Sequence, residues 1–292
     1  ATKTTLEHIE KAKRIGYLLE PLVSHLTTLD VDQTIFRSAD TDYDHIQRLA
    51  ENRRAALGVS QDAVLDYTNL ISAFGANGAL LVPVLWGETN RHENALHILL
   101  PDENVTFVYL NLDARIEDFK FWMAHELAHV FTPALCGKDE GEDFADAFAG
   151  AILFTKELAE AVHLKCHGKS QQHCIAALQK AADKHEVSLF TVFSQVNAYR
   201  KRHGCEPLPV DQTTIHKIRN SGSGETVRTR IWGKQIPSPG LYVDASRAIF
   251  QSPFFDALRL LLMSGQGGVG YVQQVLDISK ADAVAIHATL TN

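Results

Sequence analysis

Residues 115–132 contain neither proline nor glycine, and Ile116, Phe119, Met123, Leu127 and Val130 recur at helical spacing. Such a run reads as an amphipathic helix that can bury one face while Trp122, His125 and His129 share another. His125-Glu126-Leu-Ala-His129 lies within it. Side chains four apart on a helix are neighbours, so both imidazoles reach one metal ion. Glu126, beside the first histidine, is then placed to take a proton from a water at that ion. The competing reading is two ordinary, partly buried histidines.

The flanks favour the metal. Val105-Thr-Phe-Val-Tyr-Leu-Asn-Leu112 reads as a strand leading into the helix. Pro133 and Gly137 end the helix, and a second helix begins at Glu142, with Asp146 one turn further on. Two histidines and a carboxylate from a neighbouring helix form the three-ligand set that leaves one zinc position open. Glu140 competes for the third place. Glu142 is preferred because the apolar face Phe144, Ala145, Phe148, Ala149 and Ile152 starts directly after it. Asp146 is spaced to accept the free ring N–H of a ligand histidine.

These residues resemble a family. Asn111-Leu-Asp113, Phe121-x-x-Ala-His-Glu-Leu-Ala-His129 and Glu142-x-x-Ala-Asp146-x-Phe-Ala149 are similar to the ImmA/IrrE zinc metallopeptidases, over about residues 44–155. The resemblance implies a gluzincin-like lobe with His125, His129 and Glu142 as zinc ligands and Glu126 as general base. It also implies a helix-turn-helix repressor as substrate, cleaved in response to stress to release stress-response, mobile-element or defence genes. In some relatives the trigger is DNA damage or single-stranded DNA.

The net charge of −7 is unevenly spread. Residues 200–234 hold eight Lys/Arg against three acids, which makes that segment +5 and the remainder −12. With Trp232 in it, the segment suggests nucleic-acid contacts through Arg228, Arg230, Trp232 and Lys234; the bland alternative is a solvated face. Residues 1–5 lead into a charged helical pattern without an apolar signal region, and no apolar run is long enough to span a bilayer. A cytoplasmic protein without membrane partners is expected, and its four cysteines read as free thiols.

Along the chain, helices are expected over residues 2–27, 42–57 and 61–74, and strands over 79–85, 96–100 and 105–112, with a loop over 87–93. Residues 188–199 read as a helix; those before it have helix-turn-helix flavour, with two packed helices closing the lobe as the preferred reading, and 226–232 and 241–243 read as strands. Residues 221–224 are flexible punctuation, and 254–263 and 269–276 read as closing helices. The expected fold class is α+β: a mostly helical zincin-like lobe with a small mixed sheet, and a smaller C-terminal α/β regulatory region. The expected divisions are a metallopeptidase domain (1–165), a helical extension (166–204) and a sensor region (205–292).

Lesser features remain open. Cys166-His167 and His173-Cys174 lack structural-zinc spacing and read as a surface loop. Cys136, close after His129, can occupy the open metal position as an inhibitory thiolate, or be a small buried hydrophobe. Tyr109, His97 and His163 are candidates for stabilising an oxyanion. Two rivals to a protease are a DNA-binding transcriptional regulator with a structural or vestigial metal site and a zinc hydrolase acting on a small molecule.

Overall fold

The computed structural model describes residues 6–26, 34–36, 38–87, 94–222 and 224–292. The expected helix start at residues 2–5, most of the 87–93 loop and Ser223 of the flexible punctuation lie outside them. The architecture is α+β and mostly helical, around one three-stranded mixed sheet.

Three helices lead in: α1 (Leu6–Val23), α2 (Tyr43–Ala56) and α3 (Tyr67–Ala76). Asp42 caps α2 by accepting from the His45 N–H. Asp66 and Asn69 form a reciprocal capping box on α3, which therefore starts later than the expected residue 61. The strands follow as β1 (Ala79–Val84), β2 (Ala95–Leu100) and β3 (Val105–Asn111), in the order β1-β3-β2. β1 runs parallel to β3 and β2 antiparallel to it.

The two sheet edges differ. Tyr242 and Ser252 donate to the carbonyls of Pro83 and Leu81, which face away from β3. Pro83 lacks an N–H on that same outer side, so no ladder bond is lost there. The β1 edge is thus covered by the C-terminal helices. Among the described residues, the outer main-chain groups of β2 have no partner. The open edge is β2.

Next come α4 (Ile116–Phe131), a 3-10 turn (Pro133–Leu135) and α5 (Asp139–Leu153), with α4 and α5 packed together. Four helices continue: α6 (Lys156–Cys166), α7 (Gln171–His185), α8 (Leu189–Arg202) and α9 (Gln212–Ser221). α8 lies against α5, which fits two helices closing the lobe around the turn at Glu186. Cys166 and Cys174 are not in a surface loop. Both are buried where α6 meets α7, while His167 and His173 are exposed.

The remaining helices are α10 (Val227–Trp232), α11 (Pro239–Ala248), α12 (Phe254–Met263), α13 (Val269–Leu276) and α14 (Lys280–Thr291). The expected strands at 226–232 and 241–243 are therefore helical, and the C-terminal region holds no strand among its described residues. Thr226 caps α10 through the Thr229 N–H, and Ser238-Pro239 starts α11 as an N-cap with proline at N1. This region is docked onto the sheet: Trp86 donates to the Leu276 carbonyl and Tyr109 to that of Val275. No described helix is long and apolar enough to cross a membrane.

Lys120 of α4 is fully buried and donates to the His185 carbonyl at 2.9 Å. Burial lowers its pKa to about 8. Because the folded value lies below the unfolded one, the stability contribution is present above pH 10.5 and is lost as pH falls through 8. Stability relative to Lys120→Met is therefore expected to rise between pH 8 and 10.5, by on the order of 3 kcal/mol. Denaturant titrations of both proteins across that range measure it.

Candidate metal centre

α4 is aimed at the centre by the turn before it. Asn111 donates to the Gly87 carbonyl and accepts from the Asp113 N–H; Asp113 accepts from the Gly87 N–H and from Arg228. The Asn-Leu-Asp motif thus ties the root of the β1–β2 connection, the start of α4 and α10 into one knot. Ile116 and Val227 extend it through main-chain bonds to Glu225 and Ala114.

His125, Glu126 and His129 are 3%, 5% and 4% exposed, deep between α4, α5 and the sheet. The Nε2 atoms of His125 and His129 are 3.2 Å apart. Glu142 places Oε2 at 3.3 Å from the first and Oε1 at 3.6 Å from the second. A tetrahedral ion with bonds of about 2.0–2.1 Å requires ligand atoms about 3.3–3.4 Å apart, and the separations between the two nitrogens and from each to its nearer carboxylate oxygen are close to that. The group can hold a metal ion. Asp146 accepts from Nδ1 of His125 at 2.9 Å, as its spacing suggests, and so leaves Nε2 as the nitrogen that would face a metal ion.

Glu142 owes its position to Gly141. A β-carbon there would stand 2.3 Å from the Leu135 carbonyl oxygen, because α5 begins pressed against the 3-10 turn. That contact is with backbone and cannot be relieved by a side-chain rotation. Gly141→Ala is expected to push the first turn of α5 outward and weaken metal binding by about tenfold or more, with the rest of the fold intact. Chelator competition, with circular dichroism as the control, checks this.

The charges follow from burial and neighbours. Burial opposes protonation of His125, but Asp146 and Glu142 outweigh it and raise its pKa to about 9. His129 is pulled down to about 4, by burial first. Burial also opposes the charge on Glu126, yet His97 and the two cluster histidines hold its carboxyl below the usual range, so it stays ionised. It is a base beside the metal position that is not itself in the ligand group.

No family model matches the chain, and no curated protein does either. The chemistry of the site therefore rests on its own geometry.

Of the three oxyanion candidates, only His97 reaches the centre. Its ring lies edge-on to His129 at 5.7 Å, with Nδ1 3.5 Å from Glu126 Oε2. Tyr109 pairs in register with Leu96, one residue away from His97, so it projects from the opposite face of the sheet. Its hydroxyl is taken by Val275. His163 lies on α6, bonded to Arg200 and packed on Tyr199. Cys136 is not in the ligand group and lies instead against His97. Burial alone would lower His97, but Cys136 and Glu126 raise it to about 10.

The basic segment is partly neutralised within the fold, four of its eight Lys/Arg being paired with acids among the described residues. Arg228 pairs with Asp113, Arg230 with Glu225 and Glu186, and Arg219 with Asp118. Lys234 is exposed and Trp232 partly so. Arg219 and Arg228 hold α9 and α10 against the start of α4, and Arg230 ties α10 to the turn after α7, roles that their clustering in sequence does not reveal.

Proposed function

We propose that this chain is a zinc-dependent endopeptidase of the HExxH, gluzincin-like type. One observation carries the reading: a buried carboxylate, Glu126, stands beside the His125–His129–Glu142 group without belonging to it. A purely structural metal site has no use for such a base. Two imidazoles and one carboxylate suit zinc and leave a position open. When bound, zinc supplies a Lewis acid that polarises the scissile carbonyl and acidifies water.

The chain's residues do the rest. His125, His129 and Glu142 hold the ion, and Asp146 keeps His125 in the correct tautomer. Glu126 takes a proton from the attacking water and delivers it to the leaving amine. The open β2 edge is where an extended substrate segment can add as a further strand, beside the base. The proposed substrate is a helix-turn-helix repressor. The C-terminal helices, bound to β1 and β3, are the proposed regulatory part, with single-stranded DNA as the proposed activator. Cys136 as an inhibitory ligand is a further proposal, which requires its sulfur to leave His97.

The test is cleavage of the repressor encoded beside this chain's gene by wild type and Glu126→Gln, both loaded with zinc, with and without single-stranded DNA. Wild type is expected to cut. The variant should keep its zinc and lose cleavage by on the order of 10³-fold or more. Zinc that stabilises both proteins while neither cuts would transfer the reading to a DNA-binding regulator.

A further inference from the structure

The proton transfer assigned to Glu126 does not use His97, yet this histidine is built into the centre. It sits on the open-edge strand β2, on the face turned toward α4, with a side chain only 9% exposed. Its Nδ1 and Oε2 of Glu126, whose side chain is 7% exposed, face each other at 3.5 Å. Neither atom has a hydrogen-bond partner among the described residues. Two buried, unpartnered polar atoms that face each other a few tenths of an ångström beyond bonding range form a pair. A small rotation of either side chain closes it.

We infer that His97 is a positioning residue: its Nδ1–H holds Oε2 of Glu126, so that Oε1 is the oxygen presented for proton transfer. The hydrogen bond itself is independent of any reaction; the consequence for proton transfer rests on the hydrolytic reading. The placement also links binding to chemistry. A peptide that adds to β2 presses on the strand that carries the ring, and so on the orientation of the base. An oxyanion donor, by contrast, acts on the substrate oxygen and owes nothing to Glu126.

Two measurements test this. In the zinc-loaded, ¹⁵N-labelled chain, long-range proton–nitrogen spectra read the protonation of each imidazole nitrogen, with His97 assigned from His97→Asn. Nδ1 of His97 is expected to carry a proton in wild type, and its resonance to move in Glu126→Gln. A bare Nδ1 in wild type overturns the inference, whether or not the protein cuts anything. The second measurement is cleavage of the same repressor. His97→Ala is expected to lower kcat about 10–100-fold with little change in KM. His97→Asn, whose amide nitrogen takes the place of Nδ1, should recover much of that loss, and His97→Gln should not. The double variant with Glu126→Gln should be no worse than Glu126→Gln alone. Additive losses would assign His97 an independent role and overturn the inference. If wild type does not cut at all, the protease reading fails, and the spectra still decide the place of His97.

Discussion

Glu142→Ala is expected to lower zinc affinity by more than about 100-fold, while Glu140→Ala leaves it unchanged. The two glutamates lie two residues apart in sequence, but of the two only Glu142 brings one carboxylate oxygen to 3.3 Å from His125 and the other to 3.6 Å from His129. Loss of an outer-shell partner commonly reduces metal affinity 10–100-fold, and loss of a direct ligand exceeds that. Glu140, in the first turn of α5, is exposed. The same titration carries a pH signature. The proton that the carboxylates hold on His125 up to about pH 9 must leave before the ion can bind. Affinity should therefore rise about tenfold per pH unit toward 9 and then level. His129, already held down to about 4, adds no competition in that range. Isothermal titration or chelator competition at several pH values reads both effects, and an equal loss from Glu140→Ala would undo the assignment of the third ligand.

The parts of this fold that were legible in sequence are those decided locally. The run from β1 to α5 follows alternation, helical spacing and breakers, and its elements fall within a few residues of expectation. Asp146 was legible for the same reason, since its spacing from Glu142 sets its place on the helix. α10 was misread because Val227, Thr229 and Ile231 alternate as a strand does; the Thr226 cap decides the matter once the chain is docked. At α11 the Ser238-Pro239 start signal was present, and the short apolar run after it obscured it. What lay beyond reach depended on register or distance. His97 meets Glu126 only because β2 pairs with β3 in one register, which also sends Tyr109 to the far face. Arg228 meets Asp113 across 115 residues, a pairing that charge counting cannot foresee.

Arg54 is the position where a single substitution is expected to cost the fold most. It is fully buried, and among the described residues no carboxylate is in ion-pair contact with its guanidinium; burial lowers its pKa. Its partners are three carbonyls: Ile152 near the end of α5 at 2.7 Å, and Ser60 and Ala63 at 2.6 Å each. The negative end of the α5 dipole, where Ile152 lies, favours a cation. Arg54→Met keeps the apolar stem and removes the desolvation penalty of the charge, which favours the variant. Against this, three buried carbonyls lose charge-assisted bonds, each orphan costing about 1–3 kcal/mol. The second effect wins because the carbonyls cannot reach water, and a net loss of about 3–5 kcal/mol is expected. Arg54→Lys should recover little, since one ammonium cannot span three acceptors that a planar fork reaches together. The loss should also reach the metal centre, because α5 bears Glu142 and Asp146 and is anchored through Arg54 to α2. Urea unfolding with and without zinc measures both consequences. A variant that unfolds at the wild-type midpoint would mean that the three carbonyls find other donors.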